Sequence, residues 1–91
     1  MWIAALEVHA HILDKIEAKH GVAWEEVEEA CHGPHRGYRE DGDIYLLYGR
    51  TAAGRYLLVV LVKLGAGAWR VATARGMTPA ERRWYRNHGG K

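Results

Sequence analysis

Residues Arg55–Leu64, RYLLVVLVKL, contain the longest apolar run of the chain, Tyr56–Val62, and it is apolar on both alternating faces. A strand of that kind has no face to give to water. It predicts a central strand covered on both sides, by helices or by helices and a partner. The flanking segments offer it antiparallel neighbours. Asp43–Arg50 sets Ile44, Leu46 and Tyr48 on one face and Tyr45 and Leu47 on the other, and Thr51-Ala52-Ala53-Gly54 makes the hairpin turn between the two. Beyond Gly65-Ala66-Gly67 a third strand begins, with Trp69, Val71 and Thr73 on one face and Arg70, Ala72 and Ala74 on the other.

Upstream the periodicity changes. Ile3–Val8 reads as a short first strand, and from His9 the spacing of Ile12, Leu13 and Ile16 is helical. Lys19-His20-Gly21 ends that helix, the glycine serving as a left-handed cap. Trp24, Val27 and Cys31 mark a second helix, with Glu25 and Glu26 in its first turn and His32-Gly33-Pro34 as its stop. The polar segment 35–42 has room for a short edge strand at 36–39. At the far end, Thr78-Pro79-Ala80-Glu81 has the form of a helix start: Thr78 as N-cap, proline at the first position, Glu81 completing a capping box. The expected order is β-α-α-β-β-β-α, an α+β fold with two N-terminal helices on one face of an antiparallel sheet and the other face at least partly open.

A chain of 91 residues makes one domain, 1–91, with fraying expected at 1–2 and 88–91. Its lone cysteine, Cys31, cannot form an internal disulfide, and no run is long enough to cross a membrane, so a cytoplasmic protein is expected. Net charge is +2, but the halves differ. Residues 1–43 hold four Lys/Arg against ten acids, and residues 44–91 hold nine against Glu81 alone. That asymmetry suits a polyanion or an acidic partner, unless the halves neutralise each other in the fold. Arg75, Arg82, Arg83 and Arg86 gather four guanidinium groups within a dozen residues, and guanidinium matches phosphate well. Cys31, His32 and His35, with His9 and His11 upstream, are not spaced as paired metal ligands, so neither a metal nor another cofactor is expected. A DNA-binding domain is disfavoured, because no helix-turn-helix recognition pair is evident.

Three segments, taken together, carry a resemblance: the corner Lys19-His20-Gly21-Val22 leading into WEEVEEA, the hairpin YGRTAAGRYLLVV, and the run VATARGMTPAERRWY. In order and spacing they resemble the BrnT family of toxins from bacterial toxin–antitoxin modules, over roughly residues 5 to 86. The resemblance implies a RelE-like fold, metal-independent RNA cleavage and neutralisation by a cognate antitoxin. It carries catalytic roles onto His20, Arg50, Arg75, Arg82 and Tyr85. The chain departs from the family at Ala23, where a Ser or Thr commonly caps the second helix, and at Glu7-Val8-His9-Ala10, where the entry is usually of Trp-Asp type.

Metal-independent cleavage needs a base for the 2′-hydroxyl, cations for the charge that builds on the phosphoryl oxygens, and an acid for the leaving 5′-oxygen. Arg75 and Arg82 suit the cation role and are too strongly basic to take protons. His20 suits proton transfer if the fold brings it near Arg75, and Tyr85 suits donation or phosphate orientation. Arg55, Arg70, Arg83 and Arg86 are expected to hold the RNA backbone. Each has a plainer alternative: His20 as a partner of a helix-end carbonyl, the helix arginines as a solvated face, Trp84 or Tyr85 as core. The main expectation is an endoribonuclease toxin bound by its antitoxin. The alternative is a non-catalytic RNA- or protein-binding module with a degenerate site. The two-sided strand also predicts self-association, a homodimer, where an antitoxin does not cover the open face.

Overall fold

The computed structural model of the protein describes residues 1–88, in the order β1 (Ala5–Glu7), α1 (Ala10–His20), α2 (Trp24–His32), β2 (His35–Asp41), β3 (Ile44–Arg50), β4 (Tyr56–Gly65), β5 (Ala68–Gly76) and α3 (Pro79–Asn87). The strands form one sheet, β1-β5-β4-β3-β2, with β4 in the middle as its two apolar faces require. β2 is longer than the short strand expected at 36–39. It pairs with β3 from His35 to Asp41 and leaves a mostly charged outer edge, which discourages pairing with another chain. The expected sheet was wholly antiparallel, but β1 runs parallel to β5. The α1–α2 layer lies between β1 and the rest of the sheet in sequence, so no hairpin constrains β1's direction.

Local signals place the helices. Gly21 takes the left-handed conformation (φ 62°) and its N–H donates to the Glu17 carbonyl at 3.0 Å, which turns the chain directly into α2. Ala23 has no side chain with which to cap α2. Glu26 partly compensates, its Oε1 accepting the Ala23 N–H at 3.0 Å. Both helices then lie on one face of the sheet. Ile16, Val22, Val27, Ala30 and Cys31 pack there against Leu47, Leu57, Val59, Leu61, Trp69, Val71 and Ala74. The Cys31 thiol is pushed up to about 12 by burial, with the Glu28 carboxylate adding to the effect.

The opposite face is covered at one end only. α3 crosses it near the β3–β4 hairpin, where it buries Tyr85 and covers Leu58. Farther along the same face, Ile44, Leu46, Val60 and Val62 remain half-buried. At the start of the chain the Trp69 indole donates to the Trp2 carbonyl at 2.9 Å, and of the C-terminal residues expected to fray, 89–91 lie outside the described residues.

One irregularity decides which way the functional strand faces. Val60 pairs with Thr73 and Leu61 with Val71, so Ala72 is an extra residue, a β-bulge, in β5. Simple alternation puts Thr73 and Arg75 on the same face as Trp69 and Val71, against the helices. With the bulge, Ala74 joins the helix-side core, and Thr73 and Arg75 turn to the opposite face, opposite Val60 and Leu58. The expectation that Trp69, Val71 and Thr73 share a face is thereby corrected. An extra residue reverses the pleat beyond it.

Candidate active site

The hairpin end of the sheet collects most of the residues singled out in the sequence. Pairing carries a row across the strands of the α3-covered face, Arg36–Tyr48–Leu58–Arg75, and the next row brings Arg50 opposite Tyr56. α3 begins beside this end because Thr78 caps it: Thr78 Oγ1 accepts the Glu81 N–H at 3.1 Å and Glu81 Oε1 accepts the Thr78 N–H at 2.8 Å. The capping box fixes where the Glu81 carboxylate lies.

That carboxylate has a second partner. Arg75 Nη1 donates to Glu81 Oε1 at 2.8 Å and Nη2 to Oε2 at 2.9 Å, while Nη1 also donates to the Gly76 carbonyl at 3.0 Å. These bonds occupy the end-on edge of the guanidinium. Its side-on edge, Nε with the second Nη2 hydrogen, makes no hydrogen bond among the described residues and can take a phosphate oxygen pair. The Glu81 carboxyl is held below the usual carboxylate range, chiefly by its hydrogen bonds from Arg75, against the opposing effect of partial burial. Arg75 is raised in turn, chiefly by its hydrogen bonds to Glu81. The Tyr48 phenol is raised by burial and then by the Glu81 charge, with Arg75 opposing. At neutral pH it is a donor rather than a base.

The other singled-out residues fall into four groups. Arg50 lies over the Tyr56 ring, 5.4 Å from its centroid, and is exposed. Arg82, Arg83 and Arg86 are exposed on the outer side of α3, where they line a cleft of about 320 Å³ with Pro79 and Asn87. None of these four makes an ion pair among the described residues. Arg55 and Arg70 are tied down: Arg55 by Glu26 (3.0 Å) and by the Gly21 and His20 carbonyls (2.8 and 3.2 Å), Arg70 by Glu7 (2.9 Å) near the β1 edge. His20, half-buried, continues the inward stripe of α1 and lies in the helix layer near the hairpin end, on the other side of the sheet from the Arg75 side chain. Tyr85 is 0% exposed and its hydroxyl donates to the Pro34 carbonyl at 3.0 Å. Its role in this geometry is to hold α3 on the sheet, and no substrate reaches it while α3 is seated.

Charge polarity survives folding. Glu26–Arg55 and Glu7–Arg70 are the ion pairs that join the two halves of the chain among the described residues, so α1 and α2 keep their remaining acids while the α3 side keeps its arginines. Two participants were not evident from the sequence. Arg36 joins the Arg75 row only through β2 pairing, and Glu81, read as a cap, also holds Arg75. The six-residue spacing from Arg75 to Glu81 is visible in the sequence but means nothing until the bulge sets the face. Among the described residues no three His, Cys, Asp or Glu side chains converge as they would around a metal ion, and no helix is long and apolar enough to cross a membrane.

Fold and site together define a small α+β protein with a helix layer on one sheet face and a capped, arginine-bearing helix on the other. Its fold is that of the Brucella abortus ribonuclease toxin BrnT: the crystal structure of that protein matches with a TM-score of 0.68, covering 81% of this chain and 96% of that one at 16% sequence identity. No protein-family model and no curated protein matches the sequence.

Proposed function

We propose that the chain is a toxin of the BrnT type, an endoribonuclease that needs no metal, acts in the cytoplasm and is neutralised by a cognate antitoxin. The observation that carries this is the bulge at Ala72, which turns Arg75 onto the α3-covered face, where the side-on edge of its guanidinium makes no hydrogen bond among the described residues. The likeness in fold to a ribonuclease toxin supports it, as do the unpaired arginines around α3. In this mechanism the 2′-oxygen attacks the adjacent phosphorus and the 5′-oxygen leaves, giving a 2′,3′-cyclic phosphate. Arg75 and Arg50 stabilise the charge that builds on the phosphoryl oxygens. Arg82, Arg83 and Arg86 hold the neighbouring phosphates, while Arg55 and Arg70 stay on Glu26 and Glu7. The 2′-hydroxyl proton passes to water and the leaving 5′-oxygen takes one from water, because His20 lies across the sheet from Arg75. The antitoxin covers Ile44, Leu46, Val60 and Val62, where α3 leaves the face half-buried.

The test is cleavage of a labelled mixed-sequence RNA by the purified protein in EDTA, with Arg75→Ala alongside. The wild type should cleave and the variant should be slower by about 10²-fold or more. One observation favours a second function. His20 and Arg75 lie on opposite sides of the sheet, as they would in a module that binds RNA without cutting it. Salt-sensitive RNA binding by a folded wild type that cleaves nothing would establish that module instead. Sedimentation of the protein alone reports whether a second copy covers the apolar face.

A further inference from the structure

Beside Arg75 lies a group of aromatic rings that the cleavage chemistry does not use. Trp84 sits 4.9 Å from the Tyr48 ring and 5.4 Å from Tyr38, and His88 stacks on it at 4.9 Å with ring planes 21° apart. Packing α3 onto the sheet accounts for part of this cluster, as it accounts for Tyr85. It does not account for the remainder. Tyr38 is 37% exposed, and neither its hydroxyl nor that of Tyr48 has a hydrogen-bond partner among the described residues, whereas Tyr85 has one. A cleft of about 320 Å³ opens between Tyr48, Ala80, Glu81 and Trp84, so ring surface stays available to a ligand.

The wall of that cleft is also the partner of Arg75. Glu81 lines it and accepts both guanidinium bonds, so the Arg75 cation lies behind that carboxylate, next to the cleft. Arg36, 5.9 Å from the Tyr38 ring centroid, adds positive charge on the other side. Flat aromatic surface between two guanidinium groups matches a flat base attached to an anionic backbone. An acidic peptide would use the arginines but leave the rings idle.

We infer that this cleft seats one unpaired nucleobase of a single-stranded RNA, stacked on the Trp84 surface that lines it with Tyr48, tilted 55° to Trp84, against the base's edge, and with that nucleotide's phosphate on the side-on edge of Arg75. The site rests on RNA being the ligand, and its test separates the two questions by using RNA that cannot be cut. A 5′-labelled 2′-O-methyl octaribonucleotide is titrated against the wild-type protein by fluorescence anisotropy, beside an oligomer of the same length and charge whose internal residues are abasic. Stacking predicts that the base-bearing oligomer binds about tenfold tighter. Trp84→Leu, which keeps apolar packing under α3, should remove most of that preference, while Trp2→Leu, remote from α3, should leave it intact. A wild-type oligomer containing 4-thiouridine then locates the base without any substitution. Photo-crosslinking should label the tryptic peptides that carry Trp84 or Tyr48. Equal affinity for the two oligomers, a preference that survives in folded Trp84→Leu, or a crosslink elsewhere would overturn the site. Absence of cleavage with the base preference intact would overturn only the catalytic assignment.

Discussion

Glu81 can act on Arg75 in two opposite ways, and a single substitution tells them apart. The carboxylate either orients the guanidinium for phosphate or merely neutralises it. Glu81→Gln keeps the shape and removes the charge. The variant loses a charged acceptor pair at 2.8 and 2.9 Å, while its amide oxygen can still accept from the Thr78 N–H. The Arg75 and Glu81 side chains are 37% and 23% exposed, so water competes for both groups. The pair is therefore worth only about 1 kcal/mol, which for a domain of this size lowers the melting temperature by about 5 °C at pH 7. The pH dependence follows from the lowered Glu81 carboxyl. Its contribution is fully present above the unfolded value of about 4.3 and is lost as pH falls through the lower folded value. The gap between wild type and variant should close in acid. Orientation predicts that cleavage falls by about 10- to 100-fold because the guanidinium is no longer held in place. RNA binding should be no weaker, since the surface gains one positive charge. A variant that cleaves as fast as the wild type, or faster, would refute orientation and leave Glu81 as a restraint on Arg75.

Packing and reactivity offer independent checks. A Cβ at Gly49 would lie 2.5 Å from the Ala30 carbonyl oxygen, in the backbone of α2, so Gly49→Ala must push α2 off β3. That should cost about 2 kcal/mol and lower the melting temperature by about 10 °C. Gly65→Ala meets nothing within 4 Å and should stay within about 0.5 kcal/mol of wild type. Equal melting temperatures for the two variants would refute the close approach of α2. The Cys31 thiol, buried and pushed up to about 12 by that burial and then by Glu28, should resist a thiol reagent at pH 8 until the protein unfolds. Labelling of the native protein at the rate of a free thiol would contradict that burial.

Local chemistry determined much of this protein from the sequence alone. The two apolar faces of Tyr56–Val62 required a central strand, and β4 is central. Gly21 and the Thr78–Glu81 capping box act within a few residues of where they stand, so the turn between α1 and α2 and the start of α3 were legible as written. The polar strand β2 was only partly visible, because an edge strand needs little apolar patterning and is defined by the neighbour it pairs with. The candidate site depended on tertiary structure. Sequence alternation set Thr73 on the face of Trp69 and Val71, and the bulge at Ala72 turned Thr73, and Arg75 with it, to the other face, since one unpaired residue exchanges the two faces of everything beyond it. The partnership of Glu81 with Arg75, the burial of Tyr85 against Pro34 and the separation of His20 from Arg75 by the thickness of the sheet all follow from register and layering. Those are set by contacts between residues distant in the chain, and no window of the sequence contains both partners.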